Sequence, residues 1–432
     1  MAALLAGLLA LGLTPARGAE LATADDTARF LAGLPPRSDS PLAALTNDAS
    51  WLQHTRVFNA IFEREDQVTL SKVRAFAAAH LTSPHDTMFY MFSGPDFLYA
   101  TSFFPQASTY VLAGLEPVGN IPQLTTLSRG TVDQTLHNLE SSLSTILNLS
   151  FFRTKDLQTQ LNEGPVFGTL PVLYVFLART GKTIQEASFV SLDAAGNFIA
   201  PSDTSATGGG KPNAESITQG VRIVFSDGDG RMHTLFYFST NLANDGVKRS
   251  GFLAFCEKLG PADSFLKSAS YLMFSGNFAK VRSFLLDHST TVLQDDSGIP
   301  LAYFESKGWR LQPFGHYLGP ISIFPRAYQP AMAALFRDAA PLDFGIGYRW
   351  RRNESNLLLA ERAAPQVGAV AVNAPLTNTA DATMQIPVGS DNAPAWAKLH
   401  PRHVETISRL PPQPPPPPPI RGFLGFFGFR DY

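Results

Sequence analysis

Residues 220–240 read GVRIVFSDGDGRMHTLFYFST, two runs rich in Val, Ile, Phe and Tyr on either side of Asp227-Gly228-Asp229-Gly230. Asp-Gly tolerates the positive φ that tight hairpin turns need, so Gly220 to Phe225 and Met232 to Thr240 are expected to pair as antiparallel strands. Upstream, Met88 to Phe92 and Thr109 to Leu115 read as short buried strands, separated by the turn-rich Ser93-Gly94-Pro95-Asp96. Helical spacing runs through Trp51 to Leu81, where Leu70, Val73, Phe76, Ala77 and Leu81 share a face. It recurs in Thr131 to Phe151 through Val132, Leu136, Leu139, Leu143, Ile146 and Leu147. Val166 to Ala178 is an apolar core segment interrupted by Pro171. Val281, Phe284, Leu285, His288 and Val292 mark a further helix, Ala331 to Ala339 a short one, and Leu342 to Trp350 a late strand. Regular strand–helix alternation is missing. An α+β fold with a mixed or antiparallel sheet and packed helices therefore fits better than a doubly wound sheet.

The organisation expected around this body is simple. Residues 1–19 read as a secretory signal: Ala2 to Leu13 is an unbroken Ala/Leu/Gly run, too short for the ~20 residues a bilayer span needs, with small residues after it for cleavage. No Lys or Arg precedes the run, and the competing reading is a buried N-terminal helix. Residues 20–50 form an irregular lead-in, and 51–360 the globular α+β body, with the polar stretch at 200–212 as the place where two subdomains would divide. Residues 361–432 form a disordered tail, in which Pro411 to Pro419 favours an extended polyproline spacer. Its end carries Phe423, Phe426, Phe427, Phe429 and Tyr432 beside Arg421 and Arg430, a candidate docking end for an envelope or protein partner.

Composition narrows the function classes. Hydrophobic residues make up 44% of the 432 and charged residues 16%, with 33 Phe, which is ample for a large core. Net charge is −2 and no basic stripe stands out, so the charge that nucleic-acid binding requires is lacking. Once the signal is removed, no transmembrane span is expected. The single cysteine, Cys256, permits no intramolecular disulfide and no thiolate metal site; it is expected as a packed core thiol.

Several segments resemble a set of uncharacterised secreted bacterial proteins: Tyr90 to Ala100 (YMFSGPDFLYA), Gly114 to Gly119 (GLEPVG), Lys267 to Met273 (KSASYLM) and Leu293 to Pro300 (LQDDSGIP). The resemblance spans roughly Trp51 to Arg352 and implies export to the periplasm or medium. It brings no activity, cofactor or catalytic residue.

The candidate site residues are Ser93, Asp96, Glu116, Asp295 and Asp296. Ser93 stands in a sharp turn after an expected strand, where a nucleophile would need a base and an orienting acid. The Gly-x-Ser-x-Gly elbow is missing, because Met91 occupies the first glycine's place, so a turn-capping role competes. Asp295 and Asp296, in a Gly/Pro loop, are candidates for an acid/base pair that Glu116 would join across a cleft; solvated carboxylates at a helix end are the plainer alternative. His80 and His85 lack the four-residue step of helical metal ligands, and the Asp227–Gly230 run lacks the glutamate of a calcium loop, since Phe238 stands there. Neither cofactor nor metal is expected. The function expected is that of an exported cell-envelope binding or interaction module, with a hydrolase using a Ser or acidic-residue site as the alternative.

Overall fold

The computed structural model describes residues 22–151, 165–199, 218–305 and 308–362. The expected signal, the 200–212 division and the tail with Phe423, Phe426, Phe427, Phe429 and Tyr432 fall outside these residues.

Among the described residues ten strands form one sheet in the order β4-β3-β5-β6-β2-β1-β7-β8-β10-β9. They are β1 (Thr87–Tyr90), β2 (Thr109–Gly114), β3 (Thr183–Leu192), β4 (Phe198–Ile199), β5 (Thr218–Ser226), β6 (Met232–Ser239), β7 (Ala262–Leu266), β8 (Ser289–Gln294), β9 (Arg310–Gly315) and β10 (Asn356–Glu361). The hairpin of residues 220–240 is present as β5 and β6, paired in register from Gln219 opposite Ser239 to Ser226 opposite Met232. Antiparallel pairs also build both flanks, through β3, β4, β9 and β10. The sheet is therefore mixed, with helices packed on it.

Its centre is not antiparallel. β6, β2, β1, β7 and β8 run parallel. Such strands are covered on both faces and lose the polar/apolar alternation that betrays a half-exposed strand. Ala262-Asp-Ser-Phe-Leu266 is buried at every position, including its Asp and Ser, so β7 had no legible pattern.

Alternate residues feed two cores. Met88, Tyr90, Tyr110, Leu112, Leu235 and Tyr237 face one side; Phe89, Met91, Val111, Ala113, Phe236 and Phe238 face the other. The first side is covered by α1 (Ala24–Leu31), α2 (Ala49–Glu65), α3 (Ser71–His80), α4 (Phe97–Phe103), α5 (Arg129–Leu149) and α6 (Leu170–Arg179). The second is covered by α7 (Asn244–Ser250), α8 (Phe252–Lys258) and α9 (Ala279–His288). Among the described residues no helix is long and apolar enough to cross a membrane.

Three local expectations are corrected. The lead-in 20–50 is not irregular throughout: Thr23 caps α1 by accepting from Asp26 N, and Phe30 and Leu31 are fully buried. The helix expected to reach Val292 stops at His288, where Ser-Thr-Thr-Val turns to the extended backbone that β-branched residues prefer. Leu342 to Trp350 is a turn closed by an Ile346–Arg349 bridge, with Gly347 at φ 58°, and the last strand lies beyond it at β10.

Candidate functional site at the carboxyl edge of the central strands

From β1 the chain crosses to β2 through α4 on the first face; from β7 it crosses to β8 through α9 on the second face. These crossovers leave the adjacent strands β1 and β7 in opposite directions. Two right-handed connections that diverge must use opposite faces, and the turns at the carboxyl ends of β1 and β7 then part. That switch point is where open parallel sheets place their ligand crevice.

The carboxylates singled out from sequence all follow carboxyl ends of these strands: Asp96 after β1, Glu116 after β2, and Asp295 and Asp296 after β8. All are buried. Asp96 caps α4, accepting from Tyr99 N at 3.2 Å, and also accepts from the Tyr90 hydroxyl at 2.8 Å. Its third partner is Lys267, the first residue after β7, with Nζ 2.9 Å from Oδ2. The two side chains are 3% and 1% exposed. A pair so enclosed persists only when its remaining hydrogen-bonding capacity is met. Lys267 meets it by donating to the Ser150 carbonyl and lying 3.9 Å from the centre of the Tyr99 ring. The Tyr99 hydroxyl in turn donates to Glu65 at 2.8 Å. Burial lifts Glu65 to about 7, against the pull of Tyr99 and Lys267.

Asp295 and Asp296 form the other half. Asp295 Oδ2 accepts from Ser268 N at 3.2 Å, and Oδ1 accepts from Ser297 N at 2.9 Å and from the Ser297 hydroxyl. Asp296 accepts from the Tyr271 hydroxyl at 2.8 Å, and its N–H donates to Asn356 at 2.8 Å. Burial raises both carboxyls above the usual range; the charge of Asp296 pushes Asp295 further, while the hydrogen bond from Tyr271 and the charge of Arg349 restrain Asp296. These are enclosed acids and not the solvated carboxylates of a helix end.

Above them sits the turn at 345–349. Gly347 N donates to Ser150 Oγ at 3.2 Å, and Tyr348 packs edge-on against Phe151 and parallel to Tyr271. Phe324 stacks on Tyr271 at 4.7 Å. Phe324, Tyr348 and Arg349 are half-buried, so an aromatic rim with one guanidinium lies between the acids and solvent.

Ser93 does not face this network. Its hydroxyl donates to Gly94 O at 2.8 Å and Ala113 O at 3.4 Å, and a carbonyl cannot serve as a base. Glu116 nests against two glycines: a Cβ on Gly114 would collide with its carboxylate and stand 2.9 Å from Gly94 Cα. Its carbonyl accepts from Tyr237.

The remaining motifs take structural places. His80 packs between Phe76, tilted against it, and Phe314, edge-on to it. Asp227 closes the hairpin turn and accepts from His233 at 2.8 Å. Cys256 is fully buried, which pushes its thiol well up. Among the described residues, no three His, Cys, Asp or Glu side chains gather as a metal would need.

Lys267 and Ser268 were not among the candidates. A lysine between an apolar strand and a serine-rich stretch carries no local sign of burial; only the position of β7 beside β1 gives it a partner. Compared with known proteins, the chain matches no family model, no curated protein and no solved structure.

Proposed function

We propose that the protein is an exported component of the bacterial cell envelope that works as a binding module, meeting its ligand at the carboxyl edge of β1, β7 and β8. The observation that carries this reading is the rim of Phe324, Tyr348 and Arg349 over the buried Asp295–Asp296 pair, at the switch point of the parallel strands. A stacked aromatic surface beside carboxylates and one guanidinium suits a polar, hydroxyl-bearing ligand: ring faces cover its C–H groups while the acids accept its hydroxyls. Export is supported by the N-terminal apolar run and by the resemblance to secreted proteins. Of the alternative, a hydrolase using a Ser or acidic-residue site, the Ser93 form draws no support from a hydroxyl engaged with two carbonyls.

Soluble muropeptides are a suitable probe, being hydroxyl-rich material of the envelope. Titrated into the purified chain, they are expected to raise its melting temperature saturably, and Arg349→Ala is expected to weaken the response at least tenfold. A flat response from the unaltered chain would remove this reading.

A further inference from the structure

Ser268 is the first residue of a 3-10 turn (Ser268–Phe274) that begins one residue after β7, and its φ is 60°. Strand, strained residue, helical turn is a geometry that presents a side chain at the carboxyl edge of a parallel sheet. Left-handed backbone is disfavoured for serine, and such residues persist where the surroundings over-determine them, often at functional sites.

The hydroxyl is the second, independent observation. Ser268 is 8% exposed and its Oγ has no hydrogen-bond partner. Neighbouring serines show how easily a partner is found here. Ser264 and Ser289 bond each other at 2.7 Å, Ser270 donates to Lys267 O at 3.2 Å, and Ser297 donates to Asp295. Ser268 alone of these is left poised. A Cβ on Gly347 would collide with Asp295 Oδ2 and stand 3.0 Å from Ser268 Oγ, so the Gly347 backbone packs against both the hydroxyl and the carboxylate.

We propose that Ser268 is a nucleophile for acyl transfer, with Asp295 as its base, and that the protein hydrolyses a carboxylic ester at the carboxyl edge of β7 and β8. Ser268 Oγ forms a bond to the acyl carbon while its proton passes to Asp295. The ester C–O bond breaks, and the alcohol leaves with that proton. Water then adds to the acyl carbon, gives its proton to Asp295, and displaces the acid as Oγ regains the proton. Ester and water become acid and alcohol, with no other reactant. Burial raises the proton affinity of Asp295, as a base requires. The groups facing it are Asp296, Tyr90, Tyr271 and Tyr348, whose phenols burial keeps protonated.

The test treats the full chain with a fluorophosphonate, which a reactive serine attacks with loss of fluoride, and maps the adduct by peptide mass spectrometry. One adduct on Ser268 is expected, absent in Ser268→Ala, retained in Ser93→Ala and formed at least tenfold more slowly in Asp295→Asn. Hydrolysis of p-nitrophenyl acetate should fall at least tenfold in Ser268→Ala. No adduct in the unaltered chain, or an adduct confined to another residue, overturns the assignment. Mapping the unaltered chain decides the matter even if a variant fails to fold. Muropeptide binding is read by melting temperature, so the two proposals fail separately.

Discussion

The turns that follow β1 and β7 lie side by side at the middle of the sheet, and each holds a non-glycine residue in left-handed backbone, Phe92 at φ 61° and Ser268 at φ 60°. Each contributes one charge to a shared pair, Asp96 from the first and Lys267 from the second. They differ in what the serine does. In the first turn Ser93 is tied to Ala113 O by both its N–H and its hydroxyl, knitting the turn to β2. In the second, the hydroxyl of Ser268 is unpartnered. Two turns of similar strain thus serve different ends: in one the serine is bonded through both its N–H and its hydroxyl, in the other the serine hydroxyl has no partner.

The shared ion pair offers the largest handle on this comparison. Lys267→Met leaves Asp96 charged and enclosed with only the Tyr90 and Tyr99 donors, and is expected to cost about 3–5 kcal/mol in urea unfolding. Adding Asp96→Asn should recover a large part of that loss, because a neutral amide still accepts from Tyr99 N at the head of α4. If the single variant loses less than about 1 kcal/mol, the pair does not join the two turns as described.

Glu65 sharpens the electrostatics of the same cluster. Its folded pKa of about 7 lies above the ordinary 4.5. The folded state therefore keeps a proton that the unfolded chain gives up. Below about pH 4.5 this contribution to stability is fully present; it is lost as pH rises to about 7, and above that the loss is complete. Gln cannot ionise and still accepts from Tyr99. Glu65→Gln should match the parent chain near pH 4 and exceed it by roughly 3 kcal/mol at pH 8, the product of the shift and 1.36 kcal/mol per unit. A difference independent of pH would show that Glu65 is not held protonated.

The same contrast explains what could be read from the chain. Local signals were legible: Asp-Gly in the 220–240 hairpin, the Leu/Ile/Val step of α5, and the turn at Ser93–Asp96. The parallel centre was legible only in part: β1, β2 and β6 read as strands but their parallel pairing did not, and β7 and β8 owe their extended state to neighbours distant in sequence, Phe89 and Leu293 among them. Asp96, Glu116, Asp295 and Asp296 could be chosen because acids in apolar, Gly/Pro-bearing loops are conspicuous. That they share one edge follows from strand order, which the chain does not spell out locally. Ser93 stood out because Ser-Gly-Pro-Asp marks a sharp turn, yet those residues shape a turn whose hydroxyl is already engaged. Ser268 stands between Lys267 and Ala269, and nothing in that local word reports an unmet hydrogen bond.

The smallest effects separate the two serines most sharply. Ser268→Gly relieves left-handed strain worth about 1–2 kcal/mol and removes an unpartnered buried hydroxyl, against about 1 kcal/mol of added chain entropy in the unfolded state. A net gain of about 1 kcal/mol is expected. Ser93→Ala forfeits the bonds to Gly94 O and Ala113 O and should lose about 1 kcal/mol. Phe92→Gly relieves the same strain as Ser268→Gly, but it gives up the half-buried ring that packs 5.7 Å from Phe278, so it too should come out destabilised, by about 1 kcal/mol. Opposite signs at Ser93 and Ser268 in parallel urea melts would show that the second turn carries a cost the first does not. Equal losses at both serines would mean that the Ser268 hydroxyl has a stabilising partner, and its place beside Gly347 would then be ordinary packing.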